Sequence, residues 1–192
     1  IHSVYYWVGK KAEEREGYLH ASWVLTALLS LLVLIIGLPF VKFVSSWLDF
    51  PLKYSLLMIY SGFLMSLGSH YGESKIALGN RIMGTVFNTG FDVLKVLSFI
   101  FIAWKTRSVE NIFIAYALVY TFKLTAATIL GYRDRTFSLT FDAQKIKEVF
   151  WYCFPISFSA LLGFFVDKVD LLLLSSQLNS EGFAFYSMGC LV

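Results

Sequence analysis

The sequence predicts an all-α membrane protein, a polytopic bundle of transmembrane helices, and three observations support this fold class. The 192-residue chain is 57% hydrophobic and only 15% charged, with a mean hydropathy of +0.66. Soluble domains contain roughly 25% charged residues, because they must cover their core with polar surface. The apolar residues also form continuous runs, and aromatic residues stand at several ends of these runs, as they do at membrane interfaces. Lipid is therefore the predicted solvent for most of the chain.

Five apolar runs are long enough to cross the roughly 30 Å hydrocarbon core of a bilayer as helices. They cover residues 22–44, 52–71, 82–104, 112–130 and 149–174, and the start of a sixth run follows at about residue 182. The first run carries few polar residues, so we expect it to lie at the periphery of the bundle. The ends of the runs carry the following aromatic residues: Trp23, Trp47, Trp104, Trp151 and Tyr152.

Basic residues are unevenly distributed between the two predicted sides of the membrane. Nine Lys and Arg fall on the side of the N-terminal segment and four on the other, while Lys95, Lys123 and Lys168 fall inside spans. Short loops rich in Lys and Arg usually stay in the cytoplasm. We therefore place the N-terminal segment on the cytoplasmic side.

The loops are short except for residues 131–148, which are polar and basic and end in a helical pattern. We interpret this segment as a cytoplasmic linker between two helical lobes, the alternative being one long loop. Residues 1–130 would then be part of an N-terminal lobe, and residues 149–192 the start of a C-terminal lobe. Because the chain begins with Ile1 and ends in apolar residues, we expect it to be a segment of a longer protein.

A stripe of polar residues runs along the third span. Arg81, Thr85, Asn88, Asp92 and Lys95 follow one another at steps of four and three, which places them on one face of a helix. A charged side chain at the centre of a bilayer costs roughly 2.5–3.5 kcal/mol on insertion scales. The stripe is therefore predicted to face protein or a water-filled cavity.

Other spans carry weaker polar faces. In the second span, one such face contains Ser55, Gly62, Ser66, Ser69 and Glu73. Lys123 in the fourth span and Asp92 in the third lie about 12 Å and about 16 Å from the same membrane surface at the helical rise of 1.5 Å per residue.

We therefore hypothesise that Asp92 and Lys123 contact each other and form a charged centre with Lys95. The alternatives are an ion pair that only holds helices together, and a lysine that reaches toward the interface. The fifth span adds Asp167 and Asp170, whose depth depends on where that helix enters the membrane.

No enzyme motif is found in the sequence. It contains no phosphate-binding GxxxxGK[ST], no HExxH and no GxSxG. Cys153 and Cys190 form no CxxC pair and are expected to be small buried hydrophobes, and the histidines (His2, His20, His70) are expected to be interfacial. We predict no catalytic residue, no metal site and no cofactor. A membrane-embedded glycosyl- or acyltransferase remains the alternative from the enzyme class.

The segment FPISFSALLGFFVDKVDLLLLSSQLNSEGFAFYSMG resembles the polysaccharide (O-antigen) flippases of the multidrug/oligosaccharidyl-lipid/polysaccharide exporter superfamily. In that family a proline-initiated helix leads to an acidic residue, a run of leucines and a G-x-Y-S entry to the next helix. The matching residues here are Pro155, Asp170, the leucines 171–174, Gly182 and the pair Tyr186-Ser187, which stands further from the glycine than in G-x-Y-S. KKAEEREGYLHASWVLTALLS and GNRIMGTVFNTGFDVLKVLSFI resemble the third helix, with the loop before it, and the fifth helix of such proteins.

This resemblance implies a partial MATE-like flippase fold, with five full spans and the start of a sixth. It implies a multi-pass protein of the bacterial cytoplasmic membrane that moves a polyprenyl-pyrophosphate-linked oligosaccharide, such as an O-antigen or other surface polysaccharide unit, between leaflets by alternating access. The implied partners are the lipid-linked oligosaccharide and membrane lipid, with the polysaccharide polymerase and glycosyltransferases of the same pathway, and no nucleic acid.

The candidate residues for substrate binding or coupling to an ion gradient follow from the stripe and this resemblance. They are Arg81, Asn88, Asp92, Lys95, Lys123, Asp167 and Asp170. The basic residues among them would attract the pyrophosphate, while the carboxylates would bind a driving proton or cation. A cation-coupled multidrug exporter and a lipid-linked peptidoglycan precursor flippase, both of the same superfamily, remain alternative functions.

Overall fold

A computed structural model describes residues 2–10, 12–47, 51–137, 141–177 and residue 182. The described residues form six α-helices and one short 3₁₀ turn. In chain order the helices are α1 (His2–Lys10), α2 (Arg15–Trp47), α3 (Leu52–Ala77), α4 (Arg81–Thr106), α5 (Val109–Arg133) and α6 (Ala143–Gln177), and the 3₁₀ turn Ala12–Glu14 lies between α1 and α2. The all-α helical bundle predicted from the sequence is confirmed.

Each of the five predicted spans coincides with one long helix, from α2 to α6. The helices extend past the apolar runs by several residues at most ends, because the polar residues there continue the backbone hydrogen bonding of the helix. The Asn80 side chain caps α4 by accepting a hydrogen bond from the Met83 amide at 3.3 Å. The predicted sixth span lies outside the described residues, apart from Gly182.

Four of the helices are long and apolar enough to cross a membrane, namely α2, α4, α5 and α6. The fifth long helix, α3, lies between α2, α4 and α5 and packs most extensively against α5. It buries polar side chains such as Ser61, His70 and Ser74. Its lower hydropathy therefore reflects contact with neighbouring helices in place of lipid.

His70 of α3 is fully buried by neighbouring helices, and its position at the membrane interface stays a prediction. Its Nε2 lies 3.3 Å from the Ser22 hydroxyl, and its Nδ1 lies 3.0 Å from the Ser74 hydroxyl. Both imidazole nitrogens thus have polar partners, which offsets the cost of removing the ring from water. The sequence pattern did not reveal that these serines flank the histidine.

Helices α3 and α4 approach closely where two glycines meet. A Cβ atom at Gly84 would lie 2.4 Å from the carbonyl oxygen of Gly72 and 2.5 Å from the Ile76 side chain. No larger residue fits there without moving one helix away from the other. Small residues at such crossings are typical of helix pairs in membranes, where backbone proximity increases van der Waals contact.

The first turns of α6 pack against the N-terminal part of the chain. Val149 is 1% exposed and contacts a cluster that contains Tyr18, Ala21 and Leu25. From Phe154 to Val166 every residue is exposed. The two halves of α6 therefore have different surroundings, and Pro155 lies near the boundary between them.

The predicted linker is short in the structure. α5 ends at Arg133 and α6 begins at Ala143, so residues 143–148 belong to the same helix as the fifth span. Asp134, at the end of α5, accepts hydrogen bonds from Lys75 at 2.8 Å and from the Tyr71 hydroxyl at 2.8 Å. These contacts fasten the start of the connection to α3. The division into two lobes stays a prediction.

Candidate functional site

The five residues of the polar stripe differ in exposure. Arg81, Thr85 and Asp92 are exposed on α4, whereas Asn88 and Lys95 are partly buried. Arg81 is the first residue of the helix. The stripe thus begins at the predicted cytoplasmic end of α4 and continues along one face for about four turns at 3.6 residues per turn.

Asp92 and Lys123 form no direct ion pair among the described residues, so the predicted direct contact is wrong; the charges of Asp92 and Lys95 are nevertheless close enough to act on Lys123, and the charged centre of these three residues stays a prediction. Lys95 lies one turn after Asp92 on the same helix, and its Nζ is 3.3 Å from Asp92 Oδ1; residues three apart are neighbours on a helix surface. Lys123 is 3% exposed and donates a hydrogen bond to the Ser69 hydroxyl at 3.1 Å. The ammonium of Lys123 is thus turned toward α3.

Asn88 contacts a carboxylate on α3. Its Nδ2 donates to Oε1 of Glu73 at 3.2 Å, and its side chain lies over Gly72, where an added Cβ would be 2.5 Å from Nδ2. The Oδ1 atom of Asn88 is buried and has no hydrogen-bond partner. A buried acceptor without a partner is costly. The Glu73 contact and the packing over Gly72 hold the amide in place despite this cost.

The second carboxylate oxygen of Glu73 accepts a hydrogen bond from the Tyr5 hydroxyl of α1. Partial burial raises the pKa of Tyr5 to about 12, and the hydrogen bond to Glu73 and its negative charge act in the same direction. Tyr5 therefore remains a hydrogen-bond donor throughout the physiological pH range. α1, α3 and α4 meet at this one carboxylate.

Residues Tyr5, Ser69 and Glu73 were not among the candidates from the sequence. Ser69 and Glu73 lie one turn apart on the polar face of α3 that the sequence shows, so this face was the available signal. Tyr5 precedes the first predicted span, and no pattern in the sequence connects it with α3. Asp167 and Asp170 belong to α6, but their side chains lie outside the part of the chain that the structure describes.

Positively and negatively charged side chains lie within about one helical turn of each other in this part of the bundle. A buried ammonium (Lys123) lies beside Ser69, while the Glu73 carboxylate lies one turn further along α3. Asp92 and Lys95 form a partly exposed ion pair on α4. Such groups can bind a polar or charged solute. Within the described ranges, no group of three or more His, Cys, Asp or Glu could hold a metal ion.

Comparison with known proteins identifies a family. The family described as polysaccharide biosynthesis protein matches residues 4–191, which is nearly the whole chain. No curated protein and no solved structure matches the chain. With four helices long and apolar enough to cross a membrane among the residues that the structure describes, and with this match, the chain is a multi-pass membrane protein that belongs to the polysaccharide biosynthesis protein family.

Proposed function

We propose that the protein is a transporter that flips a polyprenyl-pyrophosphate-linked oligosaccharide across the bacterial cytoplasmic membrane by alternating access. The observation that carries this proposal is the buried and half-buried polar cluster of Ser69, Glu73, Asn88 and Lys123 within a bundle of apolar helices. Ionisable groups at such depth usually mark a solute or ion pathway. Membership of a polysaccharide biosynthesis family supports a glycan as the solute.

The chemistry of the substrate fits both the polar residues inside the bundle and the apolar residues on its outer faces. The pyrophosphate and sugars require a hydrated, partly cationic environment, which Arg81, Lys95 and Lys123 supply on the predicted path from the cytoplasm inward. The prenyl tail remains in contact with lipid and with the exposed apolar residues of the outer faces. The carboxylates Glu73 and Asp92 are candidates to bind a coupling proton or cation.

Deleting the gene in its host tests this function. We expect lipid-linked oligosaccharide to accumulate in the inner leaflet and surface polysaccharide to be lost, and a plasmid copy to restore both. Leaflet location is measured by the accessibility of the glycan to a lectin in intact and in permeabilised spheroplasts. Normal surface polysaccharide in the deletion strain would contradict the proposal.

The same strain separates the alternative functions. An incomplete oligosaccharide on the lipid carrier would indicate a membrane-embedded transferase, because the glycan itself would then lack a unit. Accumulation of peptidoglycan precursors would indicate a flippase for those lipids. Increased sensitivity to cationic drugs with normal glycans would indicate a cation-coupled multidrug exporter. Partnership with a polymerase and with glycosyltransferases is part of the proposal, and pull-down of these enzymes with the tagged protein tests it.

A further inference from the structure

Three consecutive aromatic residues of α1 contact three different helices. The Tyr5 hydroxyl donates a hydrogen bond to Glu73 of α3. Tyr6 stacks on Tyr152 of α6 with 4.3 Å between ring centroids and 15° between planes. Trp7 stacks on Tyr18 of α2 with 4.8 Å between centroids. A single short helix therefore lies between the polar site and α6.

The contacts on the two sides of α1 are of different kinds. Toward the bundle, Val8 is 7% exposed and packs with Leu19, Ala77 and Leu78, so this side is an apolar interface. Toward α6, Tyr6 stacks on Tyr152, Trp7 lies edge-on to the same ring at 6.1 Å between centroids, and Tyr6 is 37% exposed. The more exposed side of α1 thus faces α6.

A second set of contacts lies beside this stack and also joins α6 to the N-terminal part of the chain. Lys145 is 3.1 Å from the Glu14 carboxylate, and Tyr18 donates to Glu148 at 2.6 Å. All of these contacts involve α6 residues before Pro155. Residues 155–166 of the half that follows are exposed, so any movement of this later half must bend the helix near Pro155 or break the contacts of the first half.

We propose that residues 5–7 form a strap that couples the polar site to α6. Tyr5 and Asn88 both donate hydrogen bonds to the Glu73 carboxylate, and Tyr6 stacks on Tyr152 of α6. When the first half of α6 leaves the bundle in the transport cycle, the Tyr6–Tyr152 stack separates, and α1 is then free to shift Tyr5 relative to the Glu73–Asn88 pair. Glu73 is then a positioning residue for Asn88. This inference rests on the proposed transport function, since it assigns a moving part to it.

A reversible cross-link tests the strap in the complete gene product, reconstituted in proteoliposomes. The variant carries Tyr6→Cys and Tyr152→Cys, and a short bis-methanethiosulfonate reagent joins the two thiols. We expect flipping of the lipid-linked oligosaccharide to fall by at least about tenfold on cross-linking, because the locked state cannot exchange populations, and to recover when a reductant removes the reagent.

The matched control carries Tyr54→Cys and Phe113→Cys. These two residues also stack, with 5.2 Å between centroids, but they join α3 and α5, which stay together in the proposal. Cross-linking this pair should leave flipping unchanged. Equal flipping by the 6–152 variant with and without the cross-link would overturn the strap. Absence of flipping by the unmodified wild-type protein would instead contradict the proposed function.

A double-mutant cycle measured by thermal denaturation tests the first link, from Tyr5 through Glu73 to Asn88, without any transport assay. Tyr5→Phe removes only the hydroxyl that reaches Glu73, and Asn88→Ala removes the amide on the other oxygen of the same carboxylate. Groups that share a partner have non-additive effects. We expect the shift in melting temperature of the double variant to differ from the sum of the single shifts, and additive shifts would overturn the link.

Discussion

Helices α3 and α4 have the same length, but the less apolar of the two, α3, is the more buried one. α3 contains eight buried residues, including two serines that lie at 0% exposure, and it is not among the four helices apolar enough to span a membrane. α4 is among those four, yet Gly84 is its one buried residue. Of these two helices, the less apolar one is therefore packed inside the bundle, and the more apolar one is exposed along most of its length. Helix–helix contacts in membranes commonly use small and polar residues in this way.

The largest expected effect is at the closest approach of these two helices. Gly84→Ala places a methyl group 2.4 Å from the Gly72 carbonyl, so the helices must separate. We expect a loss of about 3 kcal/mol of stability, measured by thermal denaturation in detergent. The matched control is Gly90→Ala on the same helix, where an added Cβ meets nothing within 4 Å. The control should be neutral or stabilising by up to about 1 kcal/mol, and a loss equal to that of Gly84→Ala would contradict the explanation.

Alanine variants of two leucines, one on each helix, compare how tightly the two helices are packed. Leu64 of α3 is 4% exposed, whereas Leu97 of α4 is 58% exposed. Leu64→Ala leaves a cavity between helices and should cost about 2–3 kcal/mol. Leu97→Ala exchanges one apolar surface for another against detergent or lipid and should cost less than about 1 kcal/mol. Chemical denaturation of both variants in the same detergent gives the comparison, and equal losses would show that α4 is packed as tightly as α3.

The positions of the helices could be predicted from the sequence, but their neighbours could not. Apolar runs of about 20 residues predict long membrane helices, and the five predicted runs coincide with α2 to α6, although α3 is less apolar than the other four. Which face of each helix meets which partner depends on side-chain geometry across helices. Lys123 shows this, because depth alone suggested Asp92 as its partner, while its hydrogen bond is to Ser69.

The candidate site could be predicted in part for the same reason. The periodic spacing of Arg81 to Lys95 identified a polar face of α4, and Asn88 on that face does contact another helix. The partner of Asn88, Glu73, required knowledge of how α3 crosses α4 at Gly72 and Gly84. Tyr5 lies 68 residues before Glu73 in the chain, and a contact over that separation leaves no local pattern.

A smaller effect is expected at the end of α5, where α3 is again the partner. The hydrogen bond from Lys75 lowers the pKa of Asp134, and the Tyr71 hydroxyl adds to this. Because the folded-state pKa is depressed, the stabilisation is complete above the ordinary aspartate pKa of about 4 and is lost as the pH falls through the lower folded value.

Replacing the carboxylate tests this assignment. Asp134→Asn should reduce stability by about 1–2 kcal/mol at neutral pH, and the difference from wild type should shrink as the pH falls below about 4. Melting temperatures measured from pH 7 to pH 3 follow both effects. The control is Asp142→Asn, whose carboxylate contacts Lys145 on the surface of α6 at 3.7 Å. A difference for Asp134→Asn that does not depend on pH would contradict the assignment.

The smallest expected effect on stability accompanies a large effect on transport. Lys123 is buried against α3 with one hydrogen bond, to Ser69. Lys123→Met keeps the length of the side chain and removes the cost of burying a charge, so stability should change by less than about 1 kcal/mol. Flipping should be lost, because the cation within the polar cluster is gone. Ser69→Ala removes the partner and keeps the cation, so it should retain flipping. A Lys123→Met protein that folds and flips normally would show that this lysine only joins α5 to α3, and the polar interior of the bundle would then be a matter of packing alone.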